Sequence, residues 1–386
     1  MSSEKLLPWA KPLLISSTLT QATIYVLRPM ITYRALELDA NAAQIGLIAS
    51  VYALFPVVLA LHFGKWVGRM GEAKFIIYGT LAMLVTSAAL MFADSITLLA
   101  LAAGAAGLAH LACMVGGQSM VALRAPRESY DRYFGFYTFS ASVGHMLGPI
   151  VAAIVAGSNG NLPKSTSNAF LLGVVLTILA LFPVIRWRNE RPTVVAQQSS
   201  EGTYKTAINL VKRPGILAAI YISLAISSVA DVLVVFLPLF GTENNFSPFA
   251  VGVILAIRAG TSMFSRIFLG AIAQKLGSHF LMVSSIVAST VFCGAMFFAR
   301  TPLTLAIAVG IAGLALGVGQ PLTMSLVSRL APPEDRALAI SARLTANRVG
   351  QFVVPASAGA IAGAAGAGSI FLGLAALLAS SIFTAL

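Results

Sequence analysis

A chain of 386 residues that is 58% hydrophobic and 10% charged is excluded from the soluble globular class, in which about 25% of residues are charged. Its net charge of +12 does not call for a nucleic-acid partner, because most Lys and Arg fall in short polar connections between apolar runs. Cys113 and Cys293 sit inside such runs without metal-ligand spacing and read as packing residues, so no metal site and no cofactor are expected.

In chain order the apolar runs predict membrane-crossing helices at 8–36, 43–63, 73–93, 96–124, 131–157 and 168–187. A second set follows at 214–240, 248–270, 279–299, 303–330, 336–364 and 366–385. About twenty apolar residues cross a bilayer core, and only helices satisfy their own backbone groups there. The first run is too long for a signal peptide and has no small-residue cleavage site, so it is expected to remain as a span. With the N-terminus inside, only Arg34, Lys164 and Arg300 lie on the outer side, which predicts cytoplasmic termini. The fold class is therefore an all-α membrane protein of twelve transmembrane helices, placed in a bacterial inner membrane.

An ionisable side chain at a helix centre costs roughly 2.5–3.5 kcal/mol on insertion scales, so each one needs a reason. Span 1 carries Gln21, Tyr25, Arg28 and Thr32 on one helical stripe. Span 4 carries His110, Met114 and Gln118, and span 5 carries His145. Ser227 and Ser228 stand one turn from Asp231 in span 7, and Arg258 is alone in span 8. Span 10 offers Gln320 and Met324; span 11 offers Arg343, Asn347, Arg348 and Gln351. These stripes predict a polar cavity near the midplane. Four arginines against one acid leave it positive and suited to an anionic or zwitterionic organic solute, with Arg28, Arg258 and Arg348 as candidate ligands. The alternative for each arginine is a structural brace, for which Arg343 is the foremost candidate. Asp231 is read either as a proton carrier or as a fixed counter-ion. The histidines titrate near physiological pH and could share the proton's role.

The chain also repeats itself at an offset of 206. Residues 92–108 and 298–314 match at 9 of 17 positions, and the same offset pairs Gly46 with Gly252, Gly64 with Gly270 and Gly71 with Gly277. Further on it pairs Gly144 with Gly350 and Pro149 with Pro355. Two parallel six-helix repeats are expected, 1–190 and 214–386, joined by a cytoplasmic linker at 191–213.

This six-plus-six organisation resembles the major facilitator superfamily. Between spans 2 and 3 the family has G-x-x-x-D-R-x-G-R-R; here Gly64, Arg69 and Gly71 match, while the acidic position is Gly68. The second copy keeps Gly270, Lys275 and Gly277, again without the acid. In span 5, Gly135, Gly144, Gly148 and Pro149 are similar to the superfamily's antiporter motif, with Ala152 and Ala153 at its last two glycines. An arginine found early in span 4 of many proton antiporters is replaced by Ala100.

The resemblance implies alternating access around a midplane site, with spans 1, 2, 4, 5, 7, 8, 10 and 11 lining the cavity. The in-span polar residues themselves nominate substrate contacts at Gln21, Tyr25, Arg28, His110, His145, Arg258, Asn347, Arg348 and Gln351, with Asp231 the candidate for proton coupling. Conformational roles fall to Gly64, Arg69, Gly71, Gly144, Gly148, Pro149, Gly270, Lys275 and Gly277. A proton-coupled transporter working as a monomer is expected, with a small molecule, protons and the lipid bilayer as partners. Efflux by antiport leads; symport uptake of an anionic metabolite or metal chelate, and lipid translocation, are the alternatives. An enzyme is not expected, since HExxH, paired in-span carboxylates and phosphate loops are all missing from the sequence.

Overall fold

The computed structural model describes residues 6–126, 130–190, 212, 215–331 and 336–385. The connection expected at 191–213 lies outside the described residues apart from Lys212. The first six long helices are α1 (Ala10–Glu37), α2 (Ala42–Met70), α3 (Glu72–Met91), α4 (Ile96–Arg124), α5 (Tyr130–Ala156) and α6 (Thr166–Val184). The next six are α7 (Ile216–Glu243), α8 (Pro248–Leu276), α9 (Ser278–Met296), α10 (Pro302–Leu330), α11 (Arg336–Ala365) and α12 (Ser369–Ala385). Among the described residues α2 to α10 are long and apolar enough to cross a membrane, and α12 holds a shorter apolar stretch, Ser369–Thr384. Of the three helices that fall short, α1 and α11 carry the densest polar stripes.

Helix ends are specified differently on the two faces of the bundle. On the far side, away from the chain termini, Asn41 and Thr301 form capping boxes with Gln44 and Thr304. Ser95, Ser165 and Ser247 cap α4, α6 and α8 there. On the terminal side α2 passes into α3 at Gly71 (φ 87°), and α8 into α9 at Gly277 (φ 82°). Both sit in backbone that favours glycine, which accounts for the second glycine of each loop motif. It also corrects two boundaries: α2 and α8 run to Met70 and Leu276 instead of ending at 63 and 270. The polar residues after each apolar run simply continue the helix until the glycine stops it.

The acid missing at Gly68 has a neighbour that takes a related role. Glu72, fully buried at the start of α3, accepts from Arg124 Nε of α4 at 2.8 Å, and Glu190 holds the same guanidinium at 2.5 Å. This network braces the first six helices internally. Arg69 and Lys275 stay exposed. Glu72→Ala is expected to lower stability by about 1.5–3 kcal/mol, the range for a hydrogen bond to a charged group, read as a fall in the thermal unfolding midpoint.

Small residues set the close approaches. A β-carbon at Gly144 would stand 2.5 Å from Thr18 O of α1, and one at Gly148 would stand 2.8 Å from Ala22 O, so α5 lies tight on α1. Gly135 has open space around it and takes no part in this packing. On α10, Gly310 and Gly313 accept α8 at Ile257 and Arg258.

Between the two sets of six helices, the approaches follow the sequence repeat. On the far side Gly46 of α2 faces Pro355 O and Gly359 of α11, and Gly252 of α8 faces Pro149 O and Ala153 of α5. The offset of 206 converts the first contact into the second, residue for residue. Thr32 Oγ1 also donates to Val235 O at 2.9 Å, and Asn161, in the hairpin of Ser158–Asn159 with Leu162–Pro163, donates to Thr242 O at 2.8 Å. The far side is thus closed. Along the polar stripes exposure rises the other way, from His110 to Gln118, from Arg258 to Arg266 and from Gln320 to Met324, so the cleft opens toward the terminal side.

Candidate functional site

Helix α1 runs through the centre of the site because glycines on α5 let it in. The stripe Gln21, Tyr25, Arg28 and Thr32 meets four different helices. Arg28 grips Asp231 of α7 with both nitrogens, at 2.5 and 2.7 Å, in a bidentate pair whose side chains are 7% and 12% exposed. The Arg28 guanidinium also lies over the Tyr52 ring of α2, 4.8 Å from its centroid. This pair bridges the two sets of helices at mid-depth, with a small void on its far side bounded by Arg28, Thr32, Tyr52 and Val235.

A chain of hydrogen bonds leads inward from Tyr52. Its hydroxyl meets His110 Nδ1 at 2.8 Å, and His110 Nε2 meets Gln21 Oε1 at 3.1 Å. His145 Nε2 reaches the same oxygen at 3.0 Å, and its ring stacks on Tyr25 with centroids 4.0 Å apart. With one carbonyl oxygen serving two rings, both imidazoles donate through Nε2, and His110 Nδ1 accepts from Tyr52. The residues expected as substrate contacts on α1, α4 and α5 therefore form one polar cluster. A second small void lies on its terminal side beside Gln21, Met114 and Tyr137. Gln21→Leu strands two buried ring N–H groups at about 1–3 kcal/mol each, so a clear drop in the unfolding midpoint is expected. Gln21→Glu, which keeps an acceptor, is expected to lose much less.

The remaining arginines divide. Arg343 donates from one nitrogen to Ser223 Oγ at 2.6 Å, Gln320 Oε1 at 3.0 Å and Thr323 Oγ1 at 3.3 Å, tying α11 to α7 and α10. Gln320 also bonds Ser227. Arg348 donates to Gln351 Oε1 at 2.9 Å, on its own helix, and touches Met114 of α4. Among the described residues, buried Asn347 Oδ1 and Ser228 Oγ have no hydrogen-bond partner. Arg258, 5% exposed, has no hydrogen-bond or ion-pair partner for its side chain among the described residues, and its Nε is fully enclosed. Among those residues no cluster of His, Cys, Asp and Glu could hold a metal.

Sequence reasoning had not singled out Tyr52, Thr32's bond to α7 or the Ser223 and Thr323 ligands of Arg343. Tyr52 carried a usable signal, a lone tyrosine deep in an otherwise apolar span at the depth of Arg28.

Comparison with known proteins places this architecture. A sequence model described as Major Facilitator Superfamily matches residues 13–302 and 230–386. A multi-drug resistance efflux pump PmrA homolog of Lactococcus lactis is 24% identical over 328 residues, 82% of this chain and 78% of that one. PmrA of Streptococcus pneumoniae is 24% identical over 362 residues, covering 92% and 89%, and the multidrug resistance protein MdtG of Dickeya zeae is 23% identical over 289 residues, covering 73% and 69%. Among solved structures, a bacterial homolog of the human lysosomal transporter Spinster, inward-facing and unoccupied, superposes with a TM-score of 0.81 at 15% identity, over 99% of this chain and 97% of that one. The nucleoside transporter NupG gives 0.77 at 15% identity over 98% of each chain.

Proposed function

The chain belongs to the major facilitator superfamily and is a multi-pass membrane transporter, and from that premise we propose that it exports a zwitterionic organic solute from a bacterial cell in exchange for protons. In this reading the protein sits in the inner membrane as a monomer with cytoplasmic termini, twelve spans and two six-helix halves that rock about the cleft. The efflux relatives support the direction.

The Arg28–Asp231 pair carries the coupling. Asp231 is the acid inside the cleft, and it can hold one positive partner at a time: Arg28, a proton, or a cationic group of the solute. Antiport requires the solute and the proton to exclude one another, a negative coupling between their binding free energies. An ammonium group drawn to the Asp231 carboxylate meets that requirement. A purely anionic solute drawn to Arg28 does not, because protonating Asp231 frees Arg28 and makes the two bind together. An anion thus implies symport, and that is the second reading the same pair supports. The span-4 arginine absent at Ala100 leaves Asp231, with His110 and His145 nearby, as the groups able to carry the proton.

The test uses everted membrane vesicles energised by respiration. The matched probes are naphthoate, naphthylmethylammonium and a naphthoate bearing an aminomethyl group. Exporter action predicts that the zwitterion accumulates inside and that nigericin, which collapses the pH gradient, releases it. Accumulation of naphthoate in right-side-out vesicles alone would contradict export and favour symport.

A further inference from the structure

We propose that Arg258 of α8 is an anion-binding subsite, built to receive the carboxylate of the transported solute. The proposal rests on the transport reading for the cleft and names the group within it that holds the solute's negative end.

Buried polar groups in folded proteins are almost always partnered, and a buried charge without a partner is strongly disfavoured. Three in-span arginines obey this: Arg28 has Asp231, Arg343 has Ser223, Gln320 and Thr323, and Arg348 has Gln351. Arg258 is as buried as these and has none among the described residues. Nor is it placed there by accident of an adaptable loop. It lies ten residues into α8, about 15 Å from the helix start at 1.5 Å per residue, and Gly313 of α10 fits directly against its backbone. Arg266 stands about two turns further along the same helix toward the terminal side, adding a second positive charge to the approach. A guanidinium offers a rigid fork that matches a carboxylate with two parallel bonds.

On the α5 side of α8, Met146 packs at Gly260, and its sequence neighbour His145 stacks on Tyr25. The α5–α8 seam itself closes on the far side, where Gly252 meets Pro149 O and Ala153.

Purified wild-type protein, Arg258→Met and Arg258→Lys are titrated calorimetrically with naphthoate, naphthamide and naphthylmethylammonium, with no gradient present. Naphthoate is expected to bind the wild type, to weaken by at least about tenfold, or 1.4 kcal/mol, in Arg258→Met, and to fall between the two in Arg258→Lys. Naphthamide is expected to bind weakly and alike to all three. The unliganded Arg258→Met protein is expected to melt higher than wild type, since an uncompensated charge is gone. Equal naphthoate affinity in wild type and Arg258→Met, or none in the wild type, overturns the proposal. A lower melting point for unliganded Arg258→Met also does, because it identifies a brace. Displacement of naphthoate by phosphatidylglycerol in the micelle, with tighter binding of the lipid, would assign the site to a headgroup and overturn the solute. Because the titration involves no proton movement, it can fail while coupled export stands, and the reverse also holds.

Discussion

Asp231→Ala is expected to destabilise the protein by about 3–5 kcal/mol, the range for removing one partner of a buried ion pair. The loss arises from Arg28, which keeps its charge at 7% exposure and is left with only the Tyr52 face. Arg28→Met in the Asp231→Ala background is expected to recover most of that stability, because the two then vanish together. Recovered stability without recovered transport separates the pair's structural role from its part in coupling. If the double variant is as unstable as Asp231→Ala alone, Arg28 is not the origin of the loss. Thermal unfolding in detergent reads the first effect and vesicle transport reads the second.

Gly252→Leu combined with Gly46→Leu is expected to abolish closure of the far side. A β-carbon at Gly252 would stand 2.7 Å from Pro149 O, and one at Gly46 would stand 2.5 Å from Pro355 O, before any larger side chain is added. Overpacking of about 1–3 kcal/mol shifts a two-state equilibrium by roughly 5–150-fold, here toward the far-open state. The readout is alkylation of Thr32→Cys by a membrane-impermeant reagent from the far side. Cys113 and Cys293 are buried and contribute little background. Faster labelling with loss of transport is expected. Unchanged labelling would show that these two seams do not gate the cleft.

Much of this architecture was legible in the sequence because apolar runs and the helix period are local signals. The span at 96–124 coincides with α4, bracketed by the cap at Ser95 and the basic residue Arg124. The stripe on α1 was readable from spacing alone, and the role of Arg343 as a brace followed from its position near the mouth. Repeat spacing exposed Gly46 and Gly252, whose meaning became clear only when each met a proline carbonyl in the other half. What the sequence could not give is pairing across long separations. Arg28 and Asp231 are 203 residues apart, and no periodicity links them. Arg28, Arg258 and Arg348 look alike in sequence, and only tertiary placement distinguishes a paired arginine from an unpartnered one. The loop motif suggested a missing acid, while Glu72, four residues on, reaches Arg124 because the Gly71 turn delivers it there. Gly135 matched a motif by spacing but faces open space, since a glycine's use depends on its neighbour.

The most direct test of the central claim, that Asp231 exchanges Arg28 for a proton or for the solute's cationic end, is proton movement during solute flux. Wild-type and Asp231→Asn proteins are reconstituted in vesicles with a pH-sensitive dye inside, and the zwitterionic naphthoate is added outside. The account predicts that solute entering wild-type vesicles drives protons out, and that Asp231→Asn exchanges solute with no proton signal. Protons entering together with the solute, or equal proton flux in the two proteins, would contradict it.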